Sequence, residues 1–103
     1  MLTGKQKRFL RSKGAVMRPL IQIGKNDLSE NFLKQVTDTL EKRELVKISI
    51  LQNASLTPKE AADWLVAQDV AIQIPQIIGH TLLAYRPSHK AEYQILSKAV
   101  KAL

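Results

Sequence analysis

Between residues 20 and 51 the spacing of apolar residues changes twice, and this restricts the fold more than anything else in the chain. LIQI (20–23) is a short aliphatic run of strand type. After the turn GKND, the segment LSENFLKQVTDTLEKRE places Leu28, Phe32, Leu33, Val36 and Leu40 at steps of three and four. That is the apolar stripe of an amphipathic helix. In LVKISIL (45–51) the period drops to two, with Val46, Ile48 and Ile50 alternating with Lys47 and Ser49, as in a half-buried strand. Two strands joined by a long helix imply parallel pairing with a right-handed crossover.

The flanking segments read as follows. Thr3 and Gln6 have the spacing of a capping box, opening a helix over roughly residues 4 to 13, with Gly14 as its end and Pro19 before the next element. Asp27 with Glu30 offers a cap for the second helix. TPKE (57–60) starts a third: Thr57 caps, Pro58 suits the first turn, Glu60 reaches back, and Trp64 or Leu65 packs inward. IQIPQII (72–78) is strand-like, but Pro75 cannot donate to a ladder, so regular pairing is expected after it. Gly79-His80 fits a two-residue hairpin leading into TLLAYR (81–86). The order α-β-α-β-α-β-β predicts an α/β fold of α+β-like character: a four-stranded mixed sheet with helices packed on it, the closing hairpin supplying an antiparallel edge. At 103 residues this is one domain, over residues 2–87, with 88–103 a further helix or a frayed tail.

Signs of enzymatic chemistry are sparse. There is no cysteine, which excludes disulfides, thiolate metal sites and cysteine nucleophiles. Neither GxSxG nor GxxxxGK[ST] occurs, and His80 and His89 lack metal-ligand spacing. Asp38, Glu41 and Glu44 alternate with Lys34, Lys42 and Arg43, the pattern of an ion-paired, solvated helix face. The expectation is a protein that is not an enzyme, with no metal, cofactor or small-molecule substrate. No apolar run approaches the ~20 residues of a membrane span, and MLTGKQKRFLRSKG lacks the apolar stretch of a signal peptide. A cytoplasmic location without membrane partners is therefore expected, with a monomer as the default oligomeric state.

Charge points to a partner. The net charge is +7, and residues 1–26 carry Lys5, Lys7, Arg8, Arg11, Lys13, Arg18 and Lys25 without a single acid. Basic and acidic residues cancel in the remainder. Charge runs are usually solvated faces, but an excess confined to one quarter of a domain favours a polyanion. Leu2, Phe9 and Leu10 share one side of the first helix and Lys7, Arg8 and Arg11 the other, too narrow an apolar face for a membrane-surface helix, so nucleic acid is preferred. In the loop after the first strand, Gly24 allows close backbone approach, Lys25 adds a cation and Asn26 a polar tip, ahead of a helix N-terminus. A capped turn is the simpler reading of that loop alone; beside the basic helix it is a candidate phosphate clamp. Phe9, Phe32 and Trp64 read as core, leaving Tyr85 and Tyr93 as candidates for stacking.

LTGKQKRFLRS, IQIGKNDLSENFLKQVTDTLEKRELVKISIL and QIIGHTLLAYRP, in that order, resemble the YhbY family of bacterial single-domain CRM (chloroplast RNA splicing and ribosome maturation) proteins over about residues 2–87. The resemblance implies a fold akin to the C-terminal domain of the third bacterial translation initiation factor. It also implies RNA binding and association with ribosomal RNA in precursors of the large ribosomal subunit, in a role assisting assembly. The family's GxxG loop falls on Gly24, Lys25 and Asn26, with Asp27 in place of the second glycine, and His80 stands where a lysine is frequent. The expected RNA contacts are Lys5, Lys7, Arg8 and Arg11 on the first helix and Gly24, Lys25 and Asn26 in the loop, flanked by Arg18 and Arg86. Alternatives are a DNA-binding or nucleoid protein, or a protein–protein adaptor working through the same basic helix.

Overall fold

The computed structural model describes residues 2–24, 28–52 and 54–103. The elements are α1 (Gly4–Ala15), β1 (Ile21–Ile23), α2 (Glu30–Arg43), β2 (Leu45–Ile50), α3 (Pro58–Gln68), β3 (Gln73–Ile78), β4 (Thr81–Tyr85), a 3-10 turn at Ala91–Tyr93 and α4 (Leu96–Lys101). The sheet order is β1-β2-β4-β3. β1 and β2 run parallel, with Ile21 opposite Ile48 and Ile23 opposite Ile50. β4 is antiparallel to both β2 and β3. The mixed sheet is as expected, but its reversed strand lies inside and not at the edge: β4 inserts beside β2 and leaves β3 outermost.

The central strands are covered on both sides. Val46, Ile48, Ile50, Leu82 and Ala84 join Phe32, Val36 and Leu40 of α2 and Ala61 and Leu65 of α3 in the larger core. The alternate residues Leu45, Leu83 and Tyr85 pack with Leu2 and Leu10 of the N-terminal segment and Val100 of α4. Continuous burial of Leu82–Tyr85 explains why β4 is an unbroken apolar run and not an alternating one. Burying each of Phe32, Val36 and Leu40 contributes about 1.5–3 kcal/mol, which holds α2 on the sheet.

Local chemistry sets the boundaries. Both predicted capping boxes, Thr3/Gln6 and Thr57/Glu60, are formed. The cap of α2 is Ser29, whose hydroxyl accepts from the Phe32 amide, in place of the expected Asp27–Glu30 pair; Asp27 itself lies outside the described residues. Gly14 does not end α1 but lies within it: a Cβ there would stand 2.4 Å from Leu83 Cδ1, so glycine lets the helix settle directly on β4. Gly79 has φ +57, as the first position of a hairpin turn of this kind requires. β3 begins at Gln73, before Pro75, and its register shifts between Gln73 and Gln76, so the proline sits at the irregularity.

Residues 88–103 hold a 3-10 turn and a helix, and α2 reaches across to secure them. Glu44 adopts φ +66 at the C-cap of α2, and its fully buried carboxylate accepts from the backbone amides of Ser88 (2.8 Å) and Ser97 (3.0 Å). Gln6 Nε2 donates to the Val100 carbonyl from the other side (3.0 Å).

Candidate nucleic-acid interface

α1 buries Leu10 and Gly14 and turns its opposite face to solvent. Lys47, on the sheet face beneath, donates through Nζ to the carbonyls of Gly14 (3.3 Å) and Met17 (3.4 Å), pinning the end of the helix. Lys5, Lys7, Arg8 and Arg11 are exposed, as is Lys13, whose Nζ lies 5.4 Å from the centroid of the Phe9 ring. Residues 5 to 11 span about 9 Å along the axis. Arg18 is exposed in the segment that follows. Among the described residues, no carboxylate forms an ion pair with any of these cations. The surface is therefore a row of positive charge held by a helix; Arg11 Nε donates to the Lys7 carbonyl (3.4 Å), and the charges are left uncompensated for phosphate oxygens.

Gly24 lies half-buried just after β1, beyond the Ile23 carbonyl that accepts from Leu51 (2.8 Å). Lys25 and Asn26 fall outside the described residues. At the start of α2, Gln22, Ser29, Asn31 and Gln35 line an open polar hollow of about 670 Å³, and the cation there, Lys34, is paired with Asp38 at 3.2 Å. α1 packs over β2 and β3 on one face, whereas Gly24 leads toward α2 on the other. Among the described residues, Gly24 at the end of β1 is thus separate from the expected contacts on α1.

Arg86 is a correction to the expected set. It is 5% exposed; its guanidinium donates to Asp69 Oδ2 at 2.9 Å and lies 3.9 Å from Glu41 Oε2. Burial pushes the Asp69 carboxyl up, but the Arg86 bond and the Ala71 amide outweigh it and hold the group below its usual range. Glu41 is lowered to about 2, chiefly by the His89 backbone amide and then by the Ser88 hydroxyl. Arg86 is therefore the centre of a structural knot and is withdrawn from phosphate. Glu41 and Glu44, expected on a solvated face, belong to the same knot; only Asp38 keeps the expected pairing. One sequence signal was available: no glycine stands between Leu40 and Leu45, so a non-glycine residue had to take the left-handed position that ends α2.

Of the aromatic residues, Phe32 and Trp64 pack together with centroids 6.0 Å apart. Tyr85 is closed to stacking: it is buried, and its hydroxyl is pushed up to about 12 by that burial and then by the Glu44 charge. Phe9 and Tyr93 remain half-exposed.

Residues 2–86 match the CRS1 / YhbY (CRM) domain. The chain is 46% identical over 88 residues to the probable RNA-binding protein YqeI of Bacillus subtilis, covering 85% of this chain and 91% of that one. It is 33% identical over 97 residues to an RNA-binding protein of Haemophilus influenzae, covering 94% and 97% of the two. The solution structure of a Staphylococcus aureus protein, described as a candidate for RNA binding, superposes with a TM-score of 0.66 at 40% identity over 88% of this chain and 94% of that one. With the sheet, the exposed basic helix and this match over nearly its whole length, the chain belongs to the CRS1/YhbY (CRM) domain family.

Proposed function

We propose that the protein binds RNA, and that ribosomal RNA in precursors of the large ribosomal subunit is the RNA it meets in the cytoplasm, where it assists assembly without catalysing a reaction. The observation that carries the reading is the exposed face of α1, where Lys5, Lys7, Arg8, Arg11 and Lys13 stand clear of acidic partners among the described residues. Such a row contacts phosphates and positions the protein without reading base sequence. RNA is favoured over duplex DNA by the names of the relatives. Sedimentation of a cell lysate through a gradient tests the ribosomal part: the protein should travel with free large subunits or their precursors, and ribonuclease should return it to the top. Migration at the top without ribonuclease would overturn it. Tighter binding to duplex DNA than to structured ribosomal RNA at equal salt would favour a nucleoid role.

A further inference from the structure

A second surface lies where α1, the end of α2 and the C-terminal segment meet. Phe9, Met17, Leu45 and Leu96 form the apolar base of a groove of about 530 Å³, and Tyr93 and Ile95 line it from the segment after the 3-10 turn. Ile95 is 78% exposed, and Tyr93 is half-exposed. The rim carries Lys13, Lys42 and Arg43, all exposed. The acid among the lining residues is Glu44, which is fully buried with its oxygens bonded to the Ser88 and Ser97 amides.

Lys42 and Arg43 also suit the negative end of the α2 dipole, and that alone explains two cations there. It does not explain why they border an open apolar groove together with Lys13 from another helix, beside an aromatic ring that the core covers only in part. We propose that this groove takes an unpaired base of the RNA, stacked on Tyr93, while Lys13, Lys42 and Arg43 hold the flanking phosphates. Charge complementarity selects the occupant: three cations around an apolar floor match a nucleotide, whose flat apolar ring sits beside an anionic backbone. Lys13 lies on the same helix as the phosphate row, on the side that carries Phe9, so a strand that crosses α1 reaches the groove. The site rests on the RNA reading and deepens it, giving the protein a preference for unpaired nucleotides that the phosphate row does not supply.

The test compares two RNA hairpins of equal length, one with a single-stranded loop of about eight nucleotides and one closed by a minimal tetraloop, bound to the parent and to variants by fluorescence anisotropy. The parent should bind the open-loop hairpin several-fold more tightly. Tyr93→Ser should weaken open-loop binding by at least about fivefold and leave the tight hairpin unaffected, whereas Tyr93→Phe, which keeps the ring, should bind like the parent. Lys7, Arg8 and Arg11 changed together to alanine should weaken both hairpins. Equal open-loop affinity for parent and Tyr93→Ser, with the triple variant still impaired, overturns the groove while the RNA reading stands. Failure of the parent to bind either hairpin overturns both. Ring-proton shifts of Tyr93 on adding an acidic, aromatic peptide but not on adding uridine or adenosine monophosphate would make the groove a protein-docking site and overturn the proposal.

Discussion

Replacing Arg86 by alanine separates the structural role of that residue from a role in contacting RNA. Arg86 is 5% exposed, and its guanidinium donates to Asp69 at 2.9 Å and lies near Glu41. Removing one partner of a buried ion pair typically costs ~3–5 kcal/mol, because the remaining charge is left uncompensated. Here the cost is smaller. Asp69 and Glu41 each keep 26% of the side chain exposed and can recover water, and Arg86 Nε has no protein partner among the described residues. A loss of about 2–3 kcal/mol is expected, lowering Tm by about 10–15 °C in a domain of this size. RNA affinity measured well below both melting transitions should be unchanged. An Arg86→Ala protein that melts like the parent, or that keeps its Tm and loses RNA affinity, would refute the assignment of Arg86 to the knot.

Gly14→Ala should destabilise despite alanine's higher helix propensity: its Cβ would meet Leu83 at Cδ1, Cδ2 and Cγ (2.4, 2.7 and 3.1 Å), and overpacking of ~1–3 kcal/mol exceeds a propensity gain of ~1 kcal/mol. Urea denaturation with a lower midpoint than the parent's checks this; an unchanged or higher midpoint contradicts it. The Glu41 carboxyl has its folded value lowered from 4.5 to about 2, so its contribution is complete above pH 4.5 and is lost as pH falls toward 2. Glu41→Gln should therefore flatten the acid limb of a Tm-against-pH curve between those values, and a limb of unchanged steepness would count against the knot. On the sequence argument alone, Asp27→Gly removes a negative charge beside the candidate clamp and should tighten RNA binding several-fold at low salt; no gain by a folded variant would locate the phosphate contacts elsewhere.

The fold was largely legible because its signals are local. Apolar periods of 3.6 and 2 in residues 20–51 marked the parallel unit, and Thr3, Thr57 and Gly79 marked two helix starts and a hairpin at the positions observed. What escaped depends on partners distant in sequence. Gly14 resembles a helix terminator until Leu83, 69 residues away, is seen beneath it. Glu44 looks like a solvated charge and Arg86 like a phosphate contact because their partners, Ser88 and Ser97 for one and Asp69 for the other, lie far along the chain. The insertion of β4 between β2 and β3 is likewise a pairing choice that strand patterns do not encode. On the candidate site, the basic stripe of α1 could be read because a helix shows its faces in its own sequence. The groove at Tyr93 could not, since three separate segments build it.

The salt dependence of RNA affinity tests the central claim most directly. Each phosphate contact on single-stranded RNA contributes about −0.7 to the slope of log affinity against log salt, so three contacts account for about 2 units of slope. Lys7, Arg8 and Arg11 are exposed and form no ion pair among the described residues, so changing all three to alanine should leave Tm within a few degrees of the parent's. The slope should become shallower by about 2. An unchanged slope in a folded variant would mean that the basic face of α1 is only a solvated surface and that RNA is held elsewhere.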